Sequence, residues 1–519
     1  MTALDVDTAR SERLPRQIPY IVGNEGCERF SFYGMRNILT PFLVTSLLMY
    51  LPEAERPGAA KDVFHTFVIG VYFFPLLGGW LADRWFGKYR TVLWLSLVYC
   101  VGHLCLALFE HSVPGFYTGL ALIALGAGGI KPCVAAFVGD QFDERNRRLA
   151  KVVFDAFYWM INVGSFLASL TMPYFLRHYG AAVAFGIPGA LMFVATVVFW
   201  SGRKHYVMLP PTGGDPHGFT RVVRSALLAP APGQGRPGLA VTAAAFAMAA
   251  GSLALMPVLG IVAALCLAFV LALGGIGVGT RLQLERARGK HPDEAVDAVA
   301  AVLRVLLVFA LVTPFWSLFD QKASTWVLQA NAMSMPDWLH PAQMQAVNPA
   351  LVLLLIPFNN LVLFPFLRRM GIEPTALRRM TAGIAFSAVA WVIVGFIQLA
   401  IDGGDAVSIA WQLLPYVFLT MGEVLVSATG LEFAYSQAPP SMKGTLMSFW
   451  TLSVTVGNLW VLLANAGVRN DAVLTGIAGT GIGATAFQMF FFAAFAALAA
   501  LAFGLYARRY REMDYYRRA

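Results

Sequence analysis

Glu25, Glu28 and Arg29 stand at i, i+3 and i+4 within Asn24-Glu25-Gly26-Cys27-Glu28-Arg29-Phe30-Ser31-Phe32-Tyr33-Gly34-Met35-Arg36. On a helix this spacing puts two carboxylates and a guanidinium on one face, where they can pair locally. Phe32, Tyr33 and Arg36 continue that face. Proton exchange is one chemistry open to the group, because a carboxylate that gains or loses a basic partner changes its hold on a proton. Anion binding is another, since Arg36 can offer two parallel N–H donors to a carboxylate. The stretch lies inside an apolar segment from about Pro19 to Met49, long enough to cross a bilayer. Each charge at mid-membrane costs about 2.5–3.5 kcal/mol on insertion scales. Charges kept there at that cost face a wet cavity or partner charges on other helices.

Further polar residues recur at membrane depth. Lys131 sits in Gly126-Ala127-Gly128-Gly129-Ile130-Lys131-Pro132-Cys133, an ammonium beside a proline that removes a helix hydrogen bond. Snorkelling to the interface is its alternative use. Asn162 carries a neutral amide able to hold a polar ligand group or to bond a neighbouring helix. His65, one turn pair before Tyr72, could titrate near neutral pH or serve as a satisfied interface residue. Trp316 and Asp320 stand at i and i+4, so ring and carboxylate share a face. Glu423 is a lone carboxylate with no basic residue nearby in sequence.

The elements that must position these residues are membrane helices. The chain has 519 residues, 58% hydrophobic and 13% charged, with apolar runs of spanning length from end to end. Hydrocarbon admits helices or closed barrels, and the period-2 alternation of a barrel is absent. Spans are expected near Pro19–Met49, Lys61–Leu81, Tyr89–Phe109, Gly115–Val138, Val152–Leu176 and Ala181–Trp200. Two more are expected near Leu239–Met256 and Val258–Val278, then six near Val299–Phe319, Pro349–Phe366, Met380–Ile401, Ala406–Ala428, Leu446–Ala464 and Ala484–Tyr506. The expected division is a tail 1–17, a six-helix bundle 18–201, a loop 202–237 and two extra helices 238–280. A linker 281–298, a second six-helix bundle 299–507 and a tail 508–519 complete it.

The formal charge of +9 lies in the short segments between spans and is no nucleic-acid footprint. Arg10, Arg13 and Arg16 precede the first span; Arg84, Lys88 and Arg90 follow the second; Arg145, Arg147, Arg148 and Lys151 follow the fourth; Arg368, Arg369, Arg378 and Arg379 occupy the matching turn of the later half. Opposite turns hold scattered basics such as Arg56, Arg177 and Arg469. Both termini are therefore expected in the cytoplasm, with an even number of spans. Residues 1–17 show no signal-peptide core, so the first span is expected to target the chain. The five cysteines show no disulfide or metal spacing. No nucleophile elbow or phosphate loop is present, so no enzymatic activity, metal or other cofactor is expected.

The first-span stretch resembles the E-x-x-E-R-F-x-Y-Y motif of the proton-dependent oligopeptide transporters of the major facilitator superfamily. Phe32 replaces the first tyrosine of that motif. Gly79-Trp80-Leu81-Ala82-Asp83-Arg84-Trp85-Phe86-Gly87-Lys88 resembles the facilitator loop signature, and Gly128-Gly129-Ile130-Lys131-Pro132 matches a family segment. The fifth span, Phe154 to Phe166, resembles another, as does Phe315-Trp316-Ser317-Leu318-Phe319-Asp320-Gln321. Asn348-Pro349, Gly422-Glu423 with Gly430 to Pro439, and Phe449-Trp450 with Gly457-Asn458 match later ones. The span-2 histidine is found in a subset of the family that includes animal members. The two spans between the halves resemble bacterial members, which implies a bacterial inner membrane.

The resemblance implies an all-α membrane protein of the major facilitator fold, with two six-helix bundles and two additional helices, fourteen spans in all. It implies a symporter that imports di- and tripeptides with protons by alternating access, with protons as the coupling ion. The alternative is a carrier of another small solute: nitrate, an amino-acid derivative or a peptide-like drug. Proton coupling is expected at Glu25, Glu28, Arg29, Asp320 and His65. Arg36 and Lys131 suit a peptide carboxylate, Glu423 its ammonium, and Asn162 and Asn348 its backbone; Tyr33, Tyr72, Trp316 and Trp450 wall the side chains. Gating is expected at Asp83 with Arg84, and at Arg36 with Asp320, which face each other in the family's pattern. Arg304 would lack the aspartate partner that some members place on the eighth span, where Asn360 is the expected counterpart. Peptides, protons and lipid are the expected partners, and a monomer is expected.

Overall fold

The computed structural model describes residues 14–142, 147–211, 215–229, 235–437, 439 and 442–510. The first span is helix Ile18–Phe42, opened by Pro19, where a missing N–H costs nothing, and extended by a wide π turn over Leu43–Leu47. Pro41 precedes that turn, and a π turn is one way for a helix to absorb a proline. The second span is built of Arg56–Phe73 and Pro75–Leu81, broken where Pro75 cannot donate. A π turn over Ala82–Phe86 and Gly87, with φ of 73°, reverse the chain into helix Gly87–Leu108. A residue with a side chain would be strained there.

Helix Val113–Gly139 starts on Ser112, whose hydroxyl accepts from the Gly115 N–H. The stretch Arg147–Ser201 is two helices meeting at Gly180, where φ is 81°. The extra pair is Pro237–Ser252 and Ile261–Gln283, whose backbones approach closely at Gly238 against Gly279 and at Gly275 against Ala245. The remaining spans are Asp293–Asp320, then 341–369, Ala376–Asp402, 409–437, Lys443–Val468 and Ala484–Arg509. Among the described residues, eleven stretches are long and apolar enough to cross a membrane. Two of them, Arg56–Leu108 and Ala156–Lys204, reverse at Gly87 and Gly180 and so hold two spans each. The charged first helix adds one more, which gives the fourteen expected.

Two segments expected as loop and linker contain helix. Within 202–237, Phe219–Leu228 forms an amphipathic helix that buries Val222, Val223, Ala226 and Leu227. Gln283 caps it, donating from Nε2 to the carbonyls of Ala226 and Leu227 at 2.9 and 2.8 Å, while its Oε1 accepts from the Gly238 N–H. Within 281–298, the next helix already begins at Asp293, because Asp293 and Glu294 favour a helix N-terminus. Arg288 gathers Glu285, Asp293 and Asp297 around it.

The chain divides into two compact units, Met1–Gly213 with Lys322–Pro357, and Gly214–Gln321 with Phe358–Ala519. Segment 322–357 belongs with the first because it is bonded to the first and second spans. Thr40 Oγ1 donates to the Ala323 carbonyl at 2.8 Å, Gln345 Nε2 donates to the Asn37 carbonyl at 3.0 Å, and His65 Nε2 lies 2.9 Å from Ser324 Oγ.

Inside the first unit, the second and fourth spans cross on glycines. A Cβ on Gly78 would overlap the Gly129 backbone, with Gly129 Cα at 2.5 Å. No side-chain rotamer can relieve a backbone clash. Gly78→Ala should therefore destabilise the protein by about 1–3 kcal/mol, the usual range for overpacking. Gly79→Ala, at a position with nothing within 4 Å, should be silent. Thermal unfolding in detergent of the two variants side by side checks this, and an equal shift for both would contradict the crossing.

Candidate functional site

The first unit concentrates its buried charge on the first span. Glu25, Glu28 and Arg29 are 4%, 1% and 8% exposed. Arg29 Nε lies 2.9 Å from Glu25 Oε1 and 2.5 Å from Glu28 Oε2. One N–H cannot point squarely at both carboxylates, and neither Glu28 oxygen makes a hydrogen bond. The triad therefore carries one negative charge more than it neutralises. Lys131 is near enough to Glu25 to interact with its charge. Two carboxylates, Arg29 and Lys131 together sum to zero.

Lys131 is held by rings. Its Nζ stands 4.5 Å from the centre of Phe32 and 4.3 Å from that of Tyr72. The Arg29 guanidinium faces the same Phe32 ring at 5.9 Å. The substitution of phenylalanine for tyrosine removes a hydroxyl but keeps the π face that both cations use. Tyr33 stands edge-on to Phe32, 5.3 Å between centres. Arg36, 6% exposed, lies 5.3 Å from the centre of Phe64. His65 is fully buried against Ser324. Lys322, which nothing in its sequence neighbourhood singles out, is buried and donates to Asn348 Oδ1 at 2.9 Å. Asn162 donates from Nδ2 to the Tyr158 carbonyl of its own helix at 3.0 Å, so that N–H bonds backbone locally.

In the second unit, Asp320 is 2% exposed and accepts from Asn458 Nδ2 at 2.8 Å. Asn458 thereby gains a role that its place in a matching segment did not reveal. Trp316 and Trp450 meet edge to face at 5.9 Å. Gly457 lets the fifth span of this half approach Trp316, and Gly430 makes room for the Trp450 ring. Glu423 ends the helix Leu413–Glu423, half-buried, just before a π turn over Val424–Ala428. Asp320 and the two tryptophans thus come together within this unit.

The structure adds a pair beside one expected position and corrects another. Asp83 and Arg84 lie exposed on the π turn, and the ion pair among the described residues at that corner joins Lys88 to Asp140, Nζ to Oδ2 at 2.6 Å. That pair latches the corner after the second span to the end of the fourth. On the eighth span of the family's pattern the inward amide is Asn359, 1% exposed, whereas Asn360 is exposed. The π turn Asn359–Leu363 takes an extra residue per turn and shifts the inward face. Neither amide atom of Asn359 makes a hydrogen bond.

Buried, mutually paired charges on a polytopic helical chain mark a substrate or ion pathway. The comparisons with known proteins place it further. The POT family model matches residues 89–231 and 245–469. The crystal structure of an auto inhibited POT family peptide transporter is 68% identical, covering 97% of this chain and 98% of that one, with a TM-score of 0.94. That of the POT family transporter PepTSo is 66% identical over 97% and 99%, with a TM-score of 0.95. Mouse solute carrier family 15 member 2 is 34% identical over 80% of this chain and 54% of its own. Human solute carrier family 15 member 1 is 32% identical over 75% and 52%. The chain spans about half the length of these curated relatives. It belongs to the POT family, a family of multi-pass membrane transporters, and has their fold.

Proposed function

We propose that this protein is a proton-coupled symporter that imports di- and tripeptides by alternating access across a bacterial inner membrane, with both termini in the cytoplasm. The observation that carries the reading is the charge count around Arg29. Glu25, Glu28, Arg29 and Lys131 are neutral together, so adding a proton leaves one positive charge unmatched. A peptide carboxylate cancels it. Proton and peptide then enter most favourably as a pair, which is the thermodynamic content of symport. Lys131 and Arg36 serve the carboxylate, Glu423 the ammonium, and Trp316, Trp450 and Tyr72 the variable side chains. Similarity to a POT family peptide transporter at 68% identity supports the same substrate class.

Counterflow of labelled dialanine in proteoliposomes tests it. Exchange of dialanine, accelerated inward by an acidic exterior, is expected; exchange of nitrate or free amino acid with none of dialanine would replace this reading by another solute. Glu423 gives a sharper prediction. Glu423→Gln should weaken dipeptides with a free amino terminus by about tenfold or more, the scale of a hydrogen bond to a charged group. N-acetylated dipeptides should be nearly unaffected. Competition assays with both kinds check this, and equal losses would remove Glu423 from the ammonium site.

A further inference from the structure

Behind the first-span triad lies a second buried polar seam. Ser96, Tyr99 and His103 stand at i, i+3 and i+7 on helix Gly87–Leu108, so they share one face. All three are buried, Tyr99 and His103 completely. Ser96 Oγ and His103 Nδ1 make no hydrogen bond, and the Tyr99 hydroxyl lies beside Ser31. Apolar residues would fill this seam without leaving polar atoms unmatched, and buried polar groups without partners are uncommon in folded proteins.

The tautomer of His103 follows from its neighbours. Ser31 Oγ donates to the Pro188 carbonyl at 2.6 Å, which uses its one proton. Ser31 Oγ also lies 2.9 Å from His103 Nε2, so there it must accept. His103 therefore carries its proton on Nε2 and leaves Nδ1 as a bare acceptor. The ring stacks on Tyr99 at 5.0 Å and 20°, an arrangement that favours an imidazolium over the ring face. Tyr99 in turn is close enough to Glu28 and Arg29 to interact with their charges. Gly126 makes room for it, since a Cβ there would lie 2.7 Å from Tyr99 Cβ.

We propose that His103 is a second proton-holding residue of this carrier, linked to Glu28 through the Tyr99 hydroxyl. The inference rests on the proton-symport reading above. The step balances simply. The O–H bond of protonated Glu28 breaks as its proton passes to Tyr99 Oη, and the phenolic proton passes to His103 Nδ1. Bridging waters between the unmatched seam atoms carry the proton in both transfers. Glu28 becomes a carboxylate and His103 an imidazolium that still donates from Nε2 to Ser31. The reverse transfer returns the proton. The groups facing His103 are Ser31 from the first span, with Glu28 and Arg29 beyond Tyr99, and Tyr99 on its own helix. Gly119 and Ile123 of the fourth span pack on the adjacent Gly102, and Gly189 of the sixth packs on His103 itself; these bring no charge.

Two measurements test it. The first is nitrogen NMR of ¹⁵N-histidine-labelled wild-type protein in nanodiscs, with His103 assigned by the signal missing from His103→Gln. A bare Nδ1 at alkaline pH that becomes protonated on acidification is expected. An Nδ1 that stays bare across the pH range over which uptake changes would overturn the proposal, as would a bare Nε2. The second is the ratio of proton-driven uptake to gradient-free counterflow of dialanine. His103→Gln, which can keep the bond to Ser31 but cannot titrate, should lower that ratio about tenfold or more, and Tyr99→Phe should lower it too. An unchanged ratio in both variants would overturn it. Loss of dialanine counterflow by the wild-type protein would instead sink the peptide-symport reading on which the proposal stands.

Discussion

Replacing Glu25 and Glu28 together by glutamine should abolish accumulation of dipeptide against its gradient. The wild-type group of two carboxylates, Arg29 and Lys131 is neutral, and a proton taken up there is matched by a peptide carboxylate. The double variant is fixed at two positive charges and has no carboxylate left in this group to titrate. Its peptide carboxylate can still be attracted, but binding no longer depends on pH. The expected result is a ratio of internal to external dipeptide near one under an inward proton gradient, with peptide affinity flat across the pH range. The variant also leaves Arg29 buried without an ionised partner, which costs about 3–5 kcal/mol. The single variant Glu25→Gln separates the two effects. It mimics the protonated group, keeps Glu28 beside Arg29, and should fold while holding dipeptide at alkaline pH with an affinity closer to that of the wild-type protein at acidic pH. Concentrative uptake surviving in the double variant would move the coupling site off the first span.

The parts of this site that were legible in the sequence are those written in one helix. Glu25, Glu28 and Arg29 declare themselves because charges at i, i+3 and i+4 in an apolar run are too costly to stand there without a use. Trp316 and Asp320 are legible for the same reason. The span boundaries follow from hydropathy, and prolines and glycines such as Pro75, Gly87 and Gly180 mark the turns. Partners that only tertiary structure supplies are not legible. Ser324 for His65, Asn458 for Asp320 and Ser31 for His103 are separated from them by 259, 138 and 72 positions. Asp83 and Arg84 stand out because they are adjacent in a signature loop, while the ion pair of Lys88 with Asp140 at the same corner joins residues 52 positions apart. Asn359 and Asn360 differ by one position, and only the π turn decides which of them faces inward. Lys322 has nothing in its sequence neighbourhood to single it out, while in the fold it is buried on Asn348.

Lys131→Gln should be the most damaging single change for peptides with a free carboxylate. The glutamine keeps bulk and hydrogen-bonding capacity but removes the charge that balances the triad. Glu25, Glu28 and Arg29 are then left with one net negative charge, which repels a carboxylate until a proton arrives. When it does arrive, the group is neutral with nothing further to bind. Proton uptake and peptide binding are thereby separated. Hydrogen bonds to charged groups contribute about 1.5–3 kcal/mol, so affinity for dialanine should fall about tenfold to a hundredfold. Dipeptides amidated at the C-terminus lack the carboxylate and should lose much less. Lys131→Arg keeps the charge, and a guanidinium can lie against the Phe32 and Tyr72 rings that now hold the ammonium. It should recover part of the affinity lost in Lys131→Gln. Competition of free and amidated dipeptides against a labelled substrate, in all three proteins and at two pH values, measures each contribution. Equal losses for the free and amidated peptides would show that Lys131 supports the fold of the fourth span and does not hold the peptide carboxylate.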